Sequence, residues 1–423
     1  MDYKTLLLDS FREAVAAADP LKIVAAHLPP PPKGRTLVVG AGKAAASMAR
    51  AVELAWPADA PLEGLVVTRY AHGLPTNRIA VLEAGHPVPD DAGEQAAVEI
   101  ATRVAELGSD DLLIALVSGG GSSLLSLPVA GIDMADLKAV TRSLLRSGAP
   151  ITDMNIVRKH LSQIQGGWLA AACEASVTTL IVSDVTGDDP SAIASGPTCP
   201  DPSTYQDALH VLQRHAVVAP ASVQRHLEAG AAGRVSETPK PGDPLFDRVR
   251  NHVIATAHKS LEAAAALFRS HGITPVVLGD TVTGEAAEVA KVYAALVREI
   301  RLHQQPFKPP VALISGGECT VTVKGNGRGG RCVEFLASLA AELDDSAEVY
   351  ALAADTDGID GTEDNAGAVL TPDTRHRGEM QGLNLRAMLA NNDGYSYFAA
   401  LDDLVITGPT RTNVNDYRAI LVV

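Results

Sequence analysis

Short β-branched runs alternate with longer alanine- and leucine-rich stretches of helical period along nearly the whole chain of 423 residues. That alternation suits a parallel sheet covered by helices, so an α/β fold is expected, and the length allows two or three domains. Candidate strands are Thr36–Val39, Gly64–Thr68, Ile79–Glu83, Leu112–Val117 and Thr178–Ser183, with helical patterns at Lys43–Ala55 and Gly93–Leu107. They outline one doubly wound domain. The stretch AGAAGRVSETPKPGDP from Ala229 to Pro244 is too rich in Gly, Pro and charge to hold a core element, and it reads as a surface linker. Beyond it come strands His252–Ala255, Thr274–Leu278, Val311–Ile314, Val321–Val323 and Val349–Ala353, with helices Leu261–His271 and Glu285–His303. Leu404–Ile406 and Tyr417–Val423 read as further strands. The expected architecture is two Rossmann-like doubly wound domains, residues 1–235 and 246–423, with a cleft between them.

Composition narrows the function. Hydrophobic residues make up 46% of the chain and charged ones 20%, which supports packed cores. A formal charge of −15 opposes binding to a nucleic-acid backbone. Asp2, Lys4, Asp9, Arg12 and Glu13 interrupt any secretory signal, and no run of ~18 apolar residues exists, so a soluble, cytoplasmic protein without a membrane partner is expected. Cys173, Cys199, Cys319 and Cys332 form no CxxC pair and read as reduced thiols.

Glycine-rich loops follow strand after strand: VVGAGKAA with Gly40 and Gly42, LVSGGGSSLL with Ser118, Gly119, Gly120, Gly121, Ser122 and Ser123, and LISGGECTVTV with Ser315, Gly316 and Gly317. Beyond strand ends such loops let backbone amides approach an anion, and three together suggest a polyphosphate. A tight turn is the plain alternative for any one of them. Lys43 places a cation at a helix start, where the helix field repels it unless a phosphate resolves the conflict. No GxxxxGK[ST] string occurs. Read as GxGxxA, the first loop is instead a dinucleotide fingerprint, with Thr68-Arg69 disfavouring NAD and leaving NADP open.

Two acidic loops complete the picture. One holds Asp184, Asp188 and Asp189; the other holds Asp355, Asp357, Asp360, Glu363 and Asp364. Such carboxylates can converge on Mg²⁺ beside phosphate oxygens, although a solvated, capped turn explains either loop alone. Arg158, Lys159 and His160, and Arg328 and Arg331, are cations able to clamp a carboxylate or phosphate. No HExxH or GxSxG appears, which leaves zinc and serine hydrolases without support.

Seven ordered strings, VVGAGKAAASMA, VSGGGSSLL, NIVRKHLSQIQGG, SDVTGDDPSAIASGPT, ISGGECTVTVKGNGRGGR, TDGIDG and TGPTRTNVND, together resemble the glycerate 2-kinase family, whose second half is the MOFRL domain, here about 309–417. The resemblance implies ATP-dependent phosphorylation of D-glycerate at its 2-hydroxyl, with Mg²⁺, in a cleft between two α/β domains. It implies Lys43, Asp184 and Arg331 as the catalytic set. The glycine loops would hold nucleotide or phosphate, Arg158, His160 and Asp188 the substrate, and Asp184, Asp357 and Asp360 the metal. A homodimer is allowed. Some members carry the label hydroxypyruvate reductase, which keeps an NAD(P)H-dependent reductase as the alternative. The chain departs from the family pattern at Gln165 for Lys, Cys332-Val333 for Asn-Gln, and Arg411 for Gly.

Overall fold

The computed structural model describes residues 1–343 and 348–423. They form two compact units, residues 20–254 and residues 1–19 with 255–423.

In the first unit, β1 (Thr36–Ala41), β2 (Glu63–Arg69), β3 (Ile79–Ala84), β4 (Leu112–Ser118), β5 (Ser176–Val182) and β6 (Val249–Ala255) form one sheet in the order β3-β2-β1-β4-β5-β6. The pairs among β1 to β5 are parallel. Every residue of β1 and β4 is buried, as expected of central strands covered on both faces. Strand order reverses between β1 and β4. That is the switch point at which open α/β sheets bind ligands, and the loops that leave it are GAGKAA and SGGGSS.

The second unit holds β7 (Thr274–Gly279), β8 (Gly284–Glu285), β9 (Val311–Ser315), β10 (Cys319–Thr320), β11 (Val349–Asp355), β12 (Gly367–Leu370), β13 (Leu404–Val405) and β14 (Asp416–Val422). Its main sheet runs β13-β12-β11-β14-β9-β7, and β8 pairs β10 separately. Only β7 and β9 are parallel there; β14 runs antiparallel to both β9 and β11. The α/β class and two-unit organisation hold, but this sheet is mixed where a doubly wound parallel one was expected. Periodicity reports burial and says nothing of strand direction.

The unit bounds also differ from 1–235 and 246–423. The helix Tyr3–Ala17 belongs with the second unit, because Leu7, Phe11 and Ala14 form a helical stripe that packs with Leu261, Ala264 and Phe268. The hydroxyl of Tyr417 donates to Ser10 Oγ at 2.7 Å, and Lys4 pairs with Asp403 at 2.8 Å. The segment expected to be a linker folds back on the first unit: Thr238 is buried and donates to Asp201 at 3.0 Å, and Glu237 accepts from the Tyr205 amide at 3.0 Å. His252–Ala255, expected in the second domain, lies in β6 of the first sheet. Val321–Val323 is not a strand; the short strand there is β10.

Candidate active site

In the first unit, packing explains two expected nucleotide residues. A Cβ at Gly40 would strike the carbonyl of Leu116, so β1 and β4 meet at this spacing only over glycine. Gly42 has φ +137° and lies against Ser118. Its loop is closed by its own hydrogen bonds: Gly42 N donates to Val67 O at 3.1 Å, Lys43 N to Gly119 O at 2.8 Å, and Ala44 N to Ser118 Oγ at 3.0 Å. A dinucleotide loop keeps such amides for the pyrophosphate, and here they are used. Lys43 is thereby fixed beside the second glycine loop.

That second loop is more open. Gly120 has φ +81°, and the amides of Gly120, Gly121 and Ser122 have no acceptor among the described residues. Gly121 fits tightly against the carbonyl of Ala41 and against Ala194. Ser122 Oγ meets Ser195 Oγ at 2.9 Å, Ser195 Oγ donates to Asn155 Oδ1 at 3.1 Å, and Asn155 Nδ2 donates to Ala192 O at 3.1 Å. This relay ties the loop to the helix Ile151–His160. Gln165, one of the departures from the family pattern, donates through its amide to Ser122 O at 2.9 Å and Leu125 O at 3.2 Å. Ser122, Ser123, Gln165 and Arg158 line one pocket. Burial holds the Arg158 guanidinium below its ordinary pKa.

His160 stands apart from that pocket. Two residues past Arg158, it is turned about 200° around the helix axis. Its buried ring meets Ile156 O at 2.8 Å and Glu237 at 3.2 Å and packs on the edge of Tyr205. Burial raises the Tyr205 hydroxyl to about 12. His160 thus has an internal, structural set of partners. Asp184 follows β5 by two residues, and the register pairs Ser118 with Val182, so the acidic turn begins beside the serine loop. Asp188 sits in that turn at φ +53°, while Asp189 caps it through the Ser191 amide and hydroxyl, both at 2.9 Å.

In the second unit the third glycine loop is occupied by its own surroundings. Ser315 Oγ accepts from Tyr293 at 2.8 Å, Gly316 N donates to Gly279 O at 2.9 Å, and Gly316 O accepts from Arg418 at 3.0 Å. Gly317, at φ +97°, fits against the backbone of Val282. Arg331 opens the helix Arg331–Glu342, with Nε 2.9 Å from Asp416, one Nη 2.6 Å from Asp355 and the other 3.5 Å from Glu318. Burial works against its charge, but Asp416 and Asp355 more than offset it and raise its pKa.

Asp360, expected to hold metal, caps that helix instead: its two oxygens accept from Cys332 N at 3.0 Å and Val333 N at 2.9 Å. Burial pushes its carboxyl up to about 6 against the pull of those amides. This carboxylate does not fit a metal ligand. Asp357 accepts from Ile359 N at 2.9 Å. No group of three or more His, Cys, Asp or Glu residues suited to a metal occurs among the described residues. The departure Cys332-Val333 is buried, with its backbone on Asp360, and Arg411 adopts φ +59°, a conformation glycine takes without strain. No described helix is long and apolar enough to cross a membrane.

A parallel sheet with an open serine-glycine loop at its switch point, in a chain with a second, mixed sheet, is the frame of an α/β enzyme for a small molecule. Residues 6–228 match the family model described as Domain of unknown function (DUF4147), and residues 311–416 match the MOFRL family. An Agrobacterium vitis protein provisionally named hydroxypyruvate reductase is 50% identical, over 97% of this chain and 93% of its own. A Pyrococcus horikoshii protein named glycerate 2-kinase is 38% identical, over 100% of this chain and 98% of its own. The crystal structure of a Thermotoga maritima glycerate kinase superposes with a TM-score of 0.89 at 36% identity, covering 100% of this chain and 99% of that one. The chain belongs to the glycerate kinase family.

Proposed function

We propose that this protein is a glycerate 2-kinase, transferring the γ-phosphoryl group of ATP to the 2-hydroxyl of D-glycerate to give 2-phosphoglycerate and ADP. The observation that carries the proposal is full-length similarity to a glycerate 2-kinase together with an open serine-glycine loop at the switch point of the first sheet. In this reading the free amides of Gly120, Gly121 and Ser122 receive phosphoryl oxygens, and Lys43 and Arg331 neutralise charge on the transferring group. Asp184 and Asp188 share two tasks, holding Mg²⁺ and orienting the 2-hydroxyl, one of the two carboxylates taking its proton as its oxygen bonds to phosphorus and ADP departs, and Asp357 is a further carboxylate proposed for the metal. Mg²⁺ would neutralise phosphate charge. Phosphoryl transfer asks the protein mainly for positioning and charge stabilisation.

The provisional name of the Agrobacterium vitis relative favours a second reading, an NAD(P)H-dependent reductase. The closed amides of the Gly42–Ala44 loop oppose it, and Arg69 at the end of β2 opposes NADH while leaving NADPH open. One incubation with D-glycerate, ATP and Mg²⁺, read by phosphorus NMR, tests the kinase, with a chelator control that should abolish turnover. Hydroxypyruvate with NADH or NADPH, read at the nicotinamide absorbance, tests the reductase. A 2-phosphoglycerate signal with flat absorbance supports the first; absorbance loss without phosphoryl product overturns it.

A further inference from the structure

The pocket beside the serine loop has no acidic side chain in its wall, although the chain carries 50 Asp and Glu against 35 Lys and Arg. It presents two cations instead, Arg158 from the helix Ile151–His160 and Lys138 from the helix Met134–Arg146. Both side chains are half-buried. Neither makes a hydrogen bond or ion pair with any described residue. Lys138 does lower the pKa of Asp90, but that carboxylate already accepts from Tyr70 at 2.7 Å and from Gly93 N at 3.0 Å. Thr141 lies three residues beyond Lys138, on the same helical face, and also lines the pocket, as do Ser123 and Ser126.

Two half-buried cations ringed by hydroxyls select an anion. The absence of carboxylates decides which kind. A nucleotide polyphosphate arrives with Mg²⁺, which seeks carboxylate oxygens, and this wall supplies none. A metal-free carboxylate needs only a guanidinium fork and a second positive charge. We propose that Lys138 and Arg158 form the subsite for the carboxylate of the acceptor acid, Lys138 being a binding residue in its own right, and that Gln165 is a positioning residue that sets Ser122 at its edge. The identity of the acid rests on the kinase reading; the charge it must carry does not.

The test uses Lys138→Met and Arg158→Met in the full-length protein. Each should raise KM for D-glycerate at least tenfold and leave KM for ATP within about twofold. With neutral D-glyceramide as acceptor the rise in KM should be several-fold smaller than with D-glycerate, since most of the lost contact is to charge. A rise in KM for ATP instead, or an unchanged KM for D-glycerate, overturns the subsite. Calorimetric titration with D-glycerate and, separately, hydroxypyruvate removes the dependence on turnover. If no phosphoryl transfer occurs but hydroxypyruvate binds the parent protein and tenfold more weakly to Lys138→Met, the kinase reading falls and the carboxylate subsite stands.

Discussion

Asp416 lies 2.9 Å from Arg331 Nε and at the same time 2.6 Å from a terminal nitrogen of the buried Arg418, which in turn donates to Gly316 O at 3.0 Å. One carboxylate therefore holds the guanidinium proposed to act in transfer and, through Arg418, the glycine loop beside it. Asp416→Asn leaves two guanidiniums without that charge, and removing one partner of a buried ion pair costs about 3–5 kcal/mol. Urea unfolding should show a loss of that order, and the variant that remains folded should lose turnover.

Lys43→Met and Arg331→Met test the charges proposed to face the transferring phosphoryl group. Losing one such group should cost about a hundredfold in kcat, by analogy with a lost oxyanion donor. Turnover at the parent rate in both folded variants, read by the same phosphorus NMR assay, sinks the assignment.

Gly42→Ala places a Cβ 2.5 Å from the carbonyl of Ser118 at φ +137°. Backbone cannot yield as a side chain tip does, so destabilisation of about 2 kcal/mol or more is expected in thermal or urea unfolding. Gly148→Ala, with positive φ but open space around it, should lose less.

Asp360 gives the stability a pH dependence of definite sign. Its carboxyl is raised in the folded protein to about 6 from 3.8, so the native state holds a proton that the unfolded chain has released. Its contribution is therefore complete below about pH 4 and is withdrawn as pH rises through 6, by at most about 3 kcal/mol. Asp360→Asn should flatten that part of the curve when unfolding free energy is measured from pH 4 to 7.

All four cysteines are buried and free. Burial raises the Cys199 thiol to about 12 and Cys332 well above its ordinary value. A thiol reagent at pH 8 should find no fast-reacting group in the native protein and four after unfolding; a fast native reaction contradicts this packing.

The positions of most strands, the glycine loops at their ends and the membership of the family were legible in the residues, because period, β-branching and motif order are local properties. The serine loop stood out as a strand-end glycine loop for the same reason, whereas Asn155, which ties that loop to the helix bearing Arg158, gave no signal in the residues. His160 was expected beside Arg158 on the substrate, and the two-residue offset that turns it away was present in the string NIVRKH but went unread. Other features are decided at a distance in sequence. Nothing local says that β14 enters its sheet antiparallel, that Tyr3–Ala17 packs on a helix beginning at Ala257, or that the Asp360 oxygens are taken by the amides of Cys332 and Val333. The sequence by itself determined which residue types stand at strand ends and helix starts. The tertiary structure decided which of their polar atoms are already satisfied and which are left for a ligand, because a hydrogen bond belongs to two groups and the chain brings the second one from far away.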